Sequence, residues 1–175
     1  MNINELKNLT EKLLETFINA GQKAIELRNK GLKTTIKPDN TPVTNGDLEV
    51  DRLLSEKIIE ITPNIPLISE EAVNVNKNDK YKNFWLIDPI DGTKDYINNK
   101  DEFTINAALI IDLKPTIGII YVPAKKRLFY SYANGCSFEK FEQKKIQLEC
   151  IKKTKLGEVH AVSNTSTLSE EILRI

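Results

Sequence analysis

The chain has 175 residues, and its 25 Lys and Arg balance its 25 Asp and Glu, so that the formal net charge is zero. A zero net charge supplies no attraction for non-specific nucleic-acid binding, and we expect no nucleic-acid partner. With 40% hydrophobic and 29% charged residues, the composition is that of a globular chain. The length predicts one domain, or one complete domain with part of a second.

Helical patterns dominate the first third of the chain. Apolar residues recur at steps of three and four over residues 6–27, which predicts a long amphipathic helix that Gly31 ends. Residues 33–36 are a short strand candidate, and residues 38–42 form a loop rich in Pro and Asn. A mostly helical apolar stripe predicts a second helix over residues 44–61, and the Thr-Pro pair that follows ends it.

Short strands are predicted next, at residues 66–69 and 84–88. Between them, residues 73–83 are polar and predict a surface loop, and residues 89–101 are expected to be irregular with one helical turn.

The pattern then changes to longer strands rich in β-branched and aromatic residues. Strands are predicted at residues 103–111, 116–122 and 128–132, with hairpin turns between them at residues 113–115 and 123–126. Weaker patterns predict strands at 146–150 and 159–162 and a final helix at 168–173. Two helices followed by a run of antiparallel strands predict a layered α+β domain, not a doubly wound parallel sheet.

Cellular location is predicted from what the sequence lacks. The first residues show no basic stretch followed by an apolar one, and no run approaches the roughly 20 apolar residues of a membrane-spanning helix. Cys136 and Cys150 are therefore expected to be reduced thiols of a cytoplasmic protein rather than a disulfide. The single histidine, His160, has no Cys or His close to it in sequence, which is typical of a structural or surface residue.

The most informative segment spans residues 85–95, where an apolar strand ends in Asp88 and a second carboxylate follows at Asp91. Clustered carboxylates are hard oxygen ligands that suit Mg²⁺. Gly92 permits an unusual turn, and the amides of Gly92 and Thr93 can hold phosphate oxygens. The segment thus predicts metal-assisted phosphoryl chemistry, although Asp, Pro and Gly alone would also suit an ordinary capped turn.

This segment resembles the Trp-x-x-Asp-Pro-x-Asp-Gly-Thr signature of the inositol monophosphatase superfamily. Residues 41–47 resemble that family's Pro-Val-Thr-x-x-Asp segment and residues 66–71 its Glu-Glu segment, in matching order. The resemblance implies a layered sugar-phosphatase fold, in which two helices pack on an antiparallel sheet. Residues 1–155 would be the N-terminal metal- and phosphate-binding domain, and residues 156–175 the start of a truncated C-terminal α/β domain.

The resemblance also implies a role for individual residues. Glu70, Asp88, Asp91 and the Ile90 carbonyl would hold two or more Mg²⁺ ions. Asp47 and Thr93 would orient and activate the attacking water, with Glu70 as a further catalytic residue. Gly92 and Thr93 would bind the substrate phosphate. Glu71 would support the site, while Lys37 would either approach the phosphate or face solvent.

Within the superfamily, residues 94–96, 102–106 and 118–123 resemble the 3'(2'),5'-bisphosphate nucleotidase branch. The implied substrate is a small phosphate monoester, 3'-phosphoadenosine 5'-phosphate or its 5'-phosphosulfate, from which the 3'-phosphate is removed. Family members of this kind are cytoplasmic, some of them peripheral on the inner membrane's cytoplasmic face.

The family's second signature, Trp-Asp-x-x-Ala-Gly, is absent, since the chain's one tryptophan is Trp85. Its aspartate completes the metal site, so the resemblance leaves three readings open. The chain is a truncated and inactive nucleotidase, or an enzyme acting on inositol monophosphate or fructose 1,6-bisphosphate. Alternatively, it is a non-catalytic remnant or half of a split enzyme, working with a C-terminal partner chain or as a homo-oligomer.

Overall fold

A computed structural model describes residues 1–71 and 81–149. The helices are α1 (Ile3–Lys30), α2 (Asn45–Ile61) and the short α3 (Thr93–Ile97). The strands are β1 (Thr34–Ile36), β2 (Pro42–Thr44), β3 (Leu67–Ser69), β4 (Phe84–Asp91), β5 (Thr104–Ile111), β6 (Lys114–Val122), β7 (Arg127–Tyr132), β8 (Ser137–Phe141) and β9 (Lys144–Gln147). None of the helices in these two ranges is both long and apolar enough to cross a bilayer.

Both predicted long helices are present, and each begins at a side-chain cap. Asn2 and Glu5 form a capping box at the start of α1, and Gly31 ends that helix with φ of 96°. The buried stripe of α1 follows the predicted spacing and includes Leu6, Leu9, Leu13, Phe17, Ala20 and Ala24. At Gly21 a Cβ atom would lie 2.3 Å from the ring of Tyr121, so the glycine lets α1 approach β6 closely.

The sheets confirm the α+β class and correct one detail of topology. β1 and β2 pair as a small antiparallel hairpin, and β3 to β9 form a seven-stranded sheet in sequence order. We predicted an antiparallel run, but β3 pairs with β4 in parallel, whereas every later pairing is antiparallel. Parallel strands cannot be joined by a two-residue hairpin, and residues 70–83 separate β3 from β4.

Several predicted boundaries were wrong. β4 continues through residues 89–91, which we expected to be irregular, and a proline at a bulge is compatible with a strand. The turn expected at 113–115 lies at Asp112 and Leu113, and Pro115 belongs to β6.

Two strands near the end of the described chain also differ from the prediction. β8 was not predicted, because its half-buried Ser-Phe-Glu-Lys-Phe sequence lacks a strong apolar pattern. β9 was expected later, at 146–150, and its actual residues are all exposed.

The seven-stranded sheet has two contrasting faces. On one face α1 lies over β6 and β7 and α2 over β4, and the covered side chains include Trp85, Ile105, Leu109, Ile117 and Ile119. On the other face, which we call the open face, Leu86 and Ile120 are each 47% exposed. The described residues therefore place the hydrophobic core on one side of the sheet only.

Some predictions fall outside the described residues. These are most of the 73–83 loop, the strand at 159–162, the helix at 168–173, His160 and the domain assigned to 156–175. Cys136 is a free thiol, and Cys150 lies outside the described ranges.

Candidate active site

β4 delivers Asp88 and Asp91 to the open face by means of a bulge. In a regular strand, residues three positions apart point to opposite faces of the sheet. The register against β5 shifts between Asp88 and Asp91, and the intervening Pro89 and Ile90 are buried. A bulge adds one residue to the strand and reverses this alternation. It therefore brings both carboxylates toward the same side, beside Asn106 of β5, whose amide is 3.4 Å from the Asp91 carboxylate.

The start of α2 holds Asp47 beside Thr93. Thr44 is the N-cap of α2, and its backbone amide and hydroxyl both donate to Asp47 Oδ2, at 2.9 and 2.5 Å. Asp47 is only 1% exposed, and its Oδ1 lies 3.2 Å from Thr93 Oγ1. The single hydroxyl proton of Thr93 is also within reach of the Ile90 carbonyl, at 3.0 Å. Helix capping thus fixes the carboxylate that the resemblance assigns to water activation.

Gly92 sits in the tight turn between β4 and α3. It has φ of 94°, and a Cβ atom at this position would lie 2.8 Å from the carbonyl oxygen of Glu102. Only glycine fits both the left-handed conformation and this close approach. The short helix that follows is anchored by Tyr96, whose hydroxyl donates to the Ala24 carbonyl of α1 at 2.7 Å.

Glu70 and Glu71 follow β3 and face Lys37, which the β1–β2 hairpin presents. Lys37 Nζ lies 2.8 Å from Glu71 Oε1 and 3.6 Å from Glu70 Oε1. The Lys37 side chain is 18% exposed, so of the two roles left open for this residue, plain solvent exposure is excluded. Burial alone would lower the pKa of Lys37, but the carboxylates of Glu71 and Glu70 outweigh it and raise that pKa.

Hydrogen bonds to α2 and β4 hold the turn that carries Glu70. Ser69 Oγ donates a hydrogen bond to Asp51 of α2 and accepts one from the Glu71 amide at 3.1 Å. The amide of Glu70 donates to the Ile87 carbonyl of β4 at 3.2 Å. Backbone and side-chain contacts to two different elements therefore set the position of Glu70.

Asp88 has the most perturbed acidity in the cluster. Burial, together with repulsion from the carboxylates of Glu70 and Asp91, raises the pKa of Asp88 from 3.8 to about 7. Its Oδ1 atom is buried and has no hydrogen-bond partner among the described residues. A buried, unpartnered carboxylate oxygen among other carboxylates is a position that a cation would stabilise.

The structure thus brings the predicted site residues to one end of the sheet, where the start of α2, the end of β4 and the turn after β3 meet. Their donor set is entirely oxygen, which fits Mg²⁺. Among the residues that the structure describes, no three Asp, Glu, His or Cys side chains are close enough to enclose a metal ion. Glu70 lies near Asp88, whose pKa it helps to raise, and its Oε1 is 3.6 Å from Lys37 Nζ.

Three residues of this region were not assigned a role from the sequence. Asp51 follows Asp47 by one helical turn, which was the only signal for it. Ser69 was part of the Glu-Glu segment, and Asn106 was part of a branch motif. Neither residue type stands out as a ligand in a single sequence.

Two helices over a mixed sheet, with acidic side chains at one end of it, form the N-terminal part of a layered sugar-phosphatase fold. The chain belongs to the inositol monophosphatase family, whose sequence pattern matches residues 5–173.

Among characterised sequences, the chain is similar to proteins named 3'(2'),5'-bisphosphate nucleotidase CysQ. The one from Haemophilus influenzae is 33% identical over 84% of this chain and 53% of the relative. The one from Aggregatibacter actinomycetemcomitans is 37% identical over 70% of this chain and 48% of the relative. The chain therefore spans about half the length of the curated relatives it matches.

Solved structures show the same fold at lower identity. A staphylococcal inositol monophosphatase-1 soaked in LiCl superposes with a TM-score of 0.67 and 20% identity, over 79% of this chain and 52% of that one. An IMPase/NADP phosphatase complexed with Mg²⁺ and phosphate superposes with a TM-score of 0.66 and 22% identity, over 77% of this chain and 51% of that one. At these identities the superpositions establish the fold alone.

Proposed function

We propose that this chain carries the metal- and phosphate-binding half of a Mg²⁺-dependent phosphomonoesterase that removes the 3'-phosphate of 3'-phosphoadenosine 5'-phosphate or its 5'-phosphosulfate. The observation that carries the proposal is the cluster of Asp47, Thr93, Asp88 and Asp91 at one sheet end. The curated relatives named 3'(2'),5'-bisphosphate nucleotidase are 33% and 37% identical to the chain, whereas the solved staphylococcal inositol monophosphatase is 20% identical, and this difference supports the nucleotide substrate over inositol monophosphate.

In this proposal different residues bind the metal ions, orient the attacking water and bind the phosphate. Glu70, Asp88, Asp91 and the Ile90 carbonyl are the oxygen donors for two or more Mg²⁺ ions, which would neutralise phosphate charge and lower the pKa of bound water. Asp47, held by the cap of α2, accepts a hydrogen bond from the Thr93 hydroxyl, which leaves the lone pairs of that oxygen free to face the attacking water. Gly92 and Thr93 offer backbone amides to the substrate phosphate.

The open face supports a further part of the proposal. Leu86 and Ile120 expose apolar surface beside Asp88, and the chain spans about half of its curated relatives. We therefore propose that full activity needs the other half of the family's fold, supplied by the same protein or by a partner chain.

Calorimetric titration with Mg²⁺ tests whether the proposed site is formed. We expect saturable binding that is lost in Asp88→Ala and in Asp91→Ala. Asp112→Asn removes one carboxylate at the opposite end of the sheet and should leave binding unchanged. Binding that is indifferent to all three substitutions would contradict the proposal.

Phosphate release tests the substrate. We expect Mg²⁺-dependent release from 3'-phosphoadenosine 5'-phosphate, faster when a C-terminal half from a related nucleotidase is added, and little from inositol monophosphate or fructose 1,6-bisphosphate. Thr93→Val should abolish release while leaving Mg²⁺ affinity nearly unchanged. Preference for inositol monophosphate would transfer the proposal to the inositol phosphatase branch, and no release in any combination would favour a non-catalytic remnant.

A further inference from the structure

Asn106 lies directly opposite Asp88 on the open face. The two residues are register partners in the antiparallel pairing of β4 with β5, and facing side chains in such a pair have Cβ atoms about 4.5–5.5 Å apart. Asn106 Nδ2 lies 3.4 Å from Asp91 Oδ2, on the far side of the bulge. The Asn106 side chain therefore contacts the carboxylate of Asp91 and lies next to that of Asp88.

The remaining atom of this amide is unsatisfied. Asn106 Oδ1 and Asp88 Oδ1 are the two buried side-chain polar atoms without a hydrogen-bond partner among the described residues. Leaving a buried acceptor unpaired is unfavourable, and native structures seldom keep such atoms without a bound group that satisfies them. That the two unsatisfied atoms belong to neighbouring residues points to one group that serves both.

The chemistry of a magnesium ion suits this pair. Mg²⁺ binds carboxylate oxygens directly but gives up its water molecules reluctantly and usually keeps several. Those waters are hydrogen-bond donors, and they need acceptors in the surrounding protein. A carboxylate oxygen can bind the ion, whereas a neutral amide oxygen beside it is suited to accept from a coordinated water.

We propose that Asn106 is a positioning residue of the metal site, whose NH₂ group orients Asp91 and whose oxygen accepts a hydrogen bond from a metal-bound water. The proposal rests on the proposed function and adds a residue to it. Partners that orient metal ligands in this way typically contribute about 10- to 100-fold to metal affinity. Because Asn106 is uncharged, it can hold Asp91 without adding to the repulsion among the carboxylates.

The test is calorimetric Mg²⁺ titration of the chain and its Asn106→Leu variant, which keeps the branched shape of the side chain and removes both hydrogen-bonding groups. We expect about a tenfold loss of affinity. Ser131→Ala, on the same face but in β7, should bind Mg²⁺ like the parent. Urea unfolding without metal should give Asn106→Leu at least the parent's stability, because it removes an unsatisfied acceptor.

A second readout does not depend on the variant folding. In the ¹⁵N-labelled parent chain, the side-chain amide resonance of Asn106 should shift as Mg²⁺ is added. The resonance of Asn83, which accepts from the Asp112 amide at the other end of β4, should not. If Asn106→Leu binds Mg²⁺ as the parent does, or the Asn106 resonance stays unchanged at saturation, the inference is wrong and the proposed function stands. If the parent binds no Mg²⁺, both fail.

Discussion

The two faces of the seven-stranded sheet are built from the same strands but differ in burial and in the chemistry of their side chains. On the covered face, alternate residues such as Trp85 and Leu109 are fully buried beneath α1 and α2. On the open face, the residues between them include Leu86, Asp88 and Asn106, which remain partly exposed. Period-two alternation therefore lets single strands supply the core on one side and the chemistry on the other.

The comparison also shows where charge is tolerated. The covered face consists of apolar side chains. The open face holds Asp88, whose pKa is raised to about 7 by burial and by the carboxylates of Glu70 and Asp91. Ionising such a group in the folded, metal-free chain is unfavourable, and a bound cation would offset that cost.

The largest effect should separate the two faces directly. Leu109→Ala removes a fully buried side chain from the covered face, and we expect it to lower the free energy of unfolding by about 2–5 kcal/mol. Leu86→Ala, the same substitution on the neighbouring strand but at a 47% exposed position, should cost less than about 1 kcal/mol. Urea denaturation of both variants makes the comparison. Equal losses would mean that the open face is buried in solution, for example by association of the chain with itself.

The second effect is a pH dependence that comes from the open face. Between pH 4 and 7 the folded chain keeps the Asp88 proton while the unfolded chain, with an ordinary pKa of 3.8, has lost it. The folded state then binds more protons, so the free energy of unfolding should fall as pH rises across this range and level off above 7. Because Asp88 is only half-buried, we expect a fall of about 1–2 kcal/mol.

Metal-free urea unfolding at several pH values measures this dependence. Asp88→Asn should flatten it, whereas Asp112→Asn at the far end of the sheet should not. A dependence unchanged in Asp88→Asn would assign the fall to another group.

A smaller effect on stability is expected at the start of α2, where this covering helix holds a residue of the candidate site. Thr44 caps α2 and holds Asp47 through two hydrogen bonds. Thr44→Ala should lower the free energy of unfolding by about 1 kcal/mol, because a cap hydroxyl is lost. Thr44→Ser keeps the hydroxyl and should recover most of that loss in urea denaturation. If serine gives no recovery, the threonine methyl group rather than the cap sets the stability here.

The smallest effect should come from the outer surface of the covering helices. Arg52 forms ion pairs with Glu49 and Glu56 on the exposed side of α2, at 2.9 and 2.8 Å. Exposed pairs of this kind contribute little, because water and salt screen them. We expect Arg52→Ala to leave the urea midpoint within experimental error, and a clear shift would show that surface charges help to hold α2 on the sheet.

The sequence alone determined the elements whose signals are local. The three- and four-residue spacing of α1, the start of α2 near Thr44 and the Gly-Thr turn after Asp91 each depend on residues a few positions apart. The acidic motif and its resemblance to the inositol monophosphatase family were also readable, since a motif is a local pattern. These signals were sufficient for the fold class and for the list of candidate ligands.

Only the tertiary structure decided what is brought together across the chain. The bulge at Pro89 places Asp91 on the side of Asp88, and Lys37 pairs with Glu71 across 34 positions. Asn106 reaches Asp91 only because β5 lies beside β4 in one register. Register, bulges and ion pairs depend on which segments pack together and how their charges are compensated, and a single sequence does not state this.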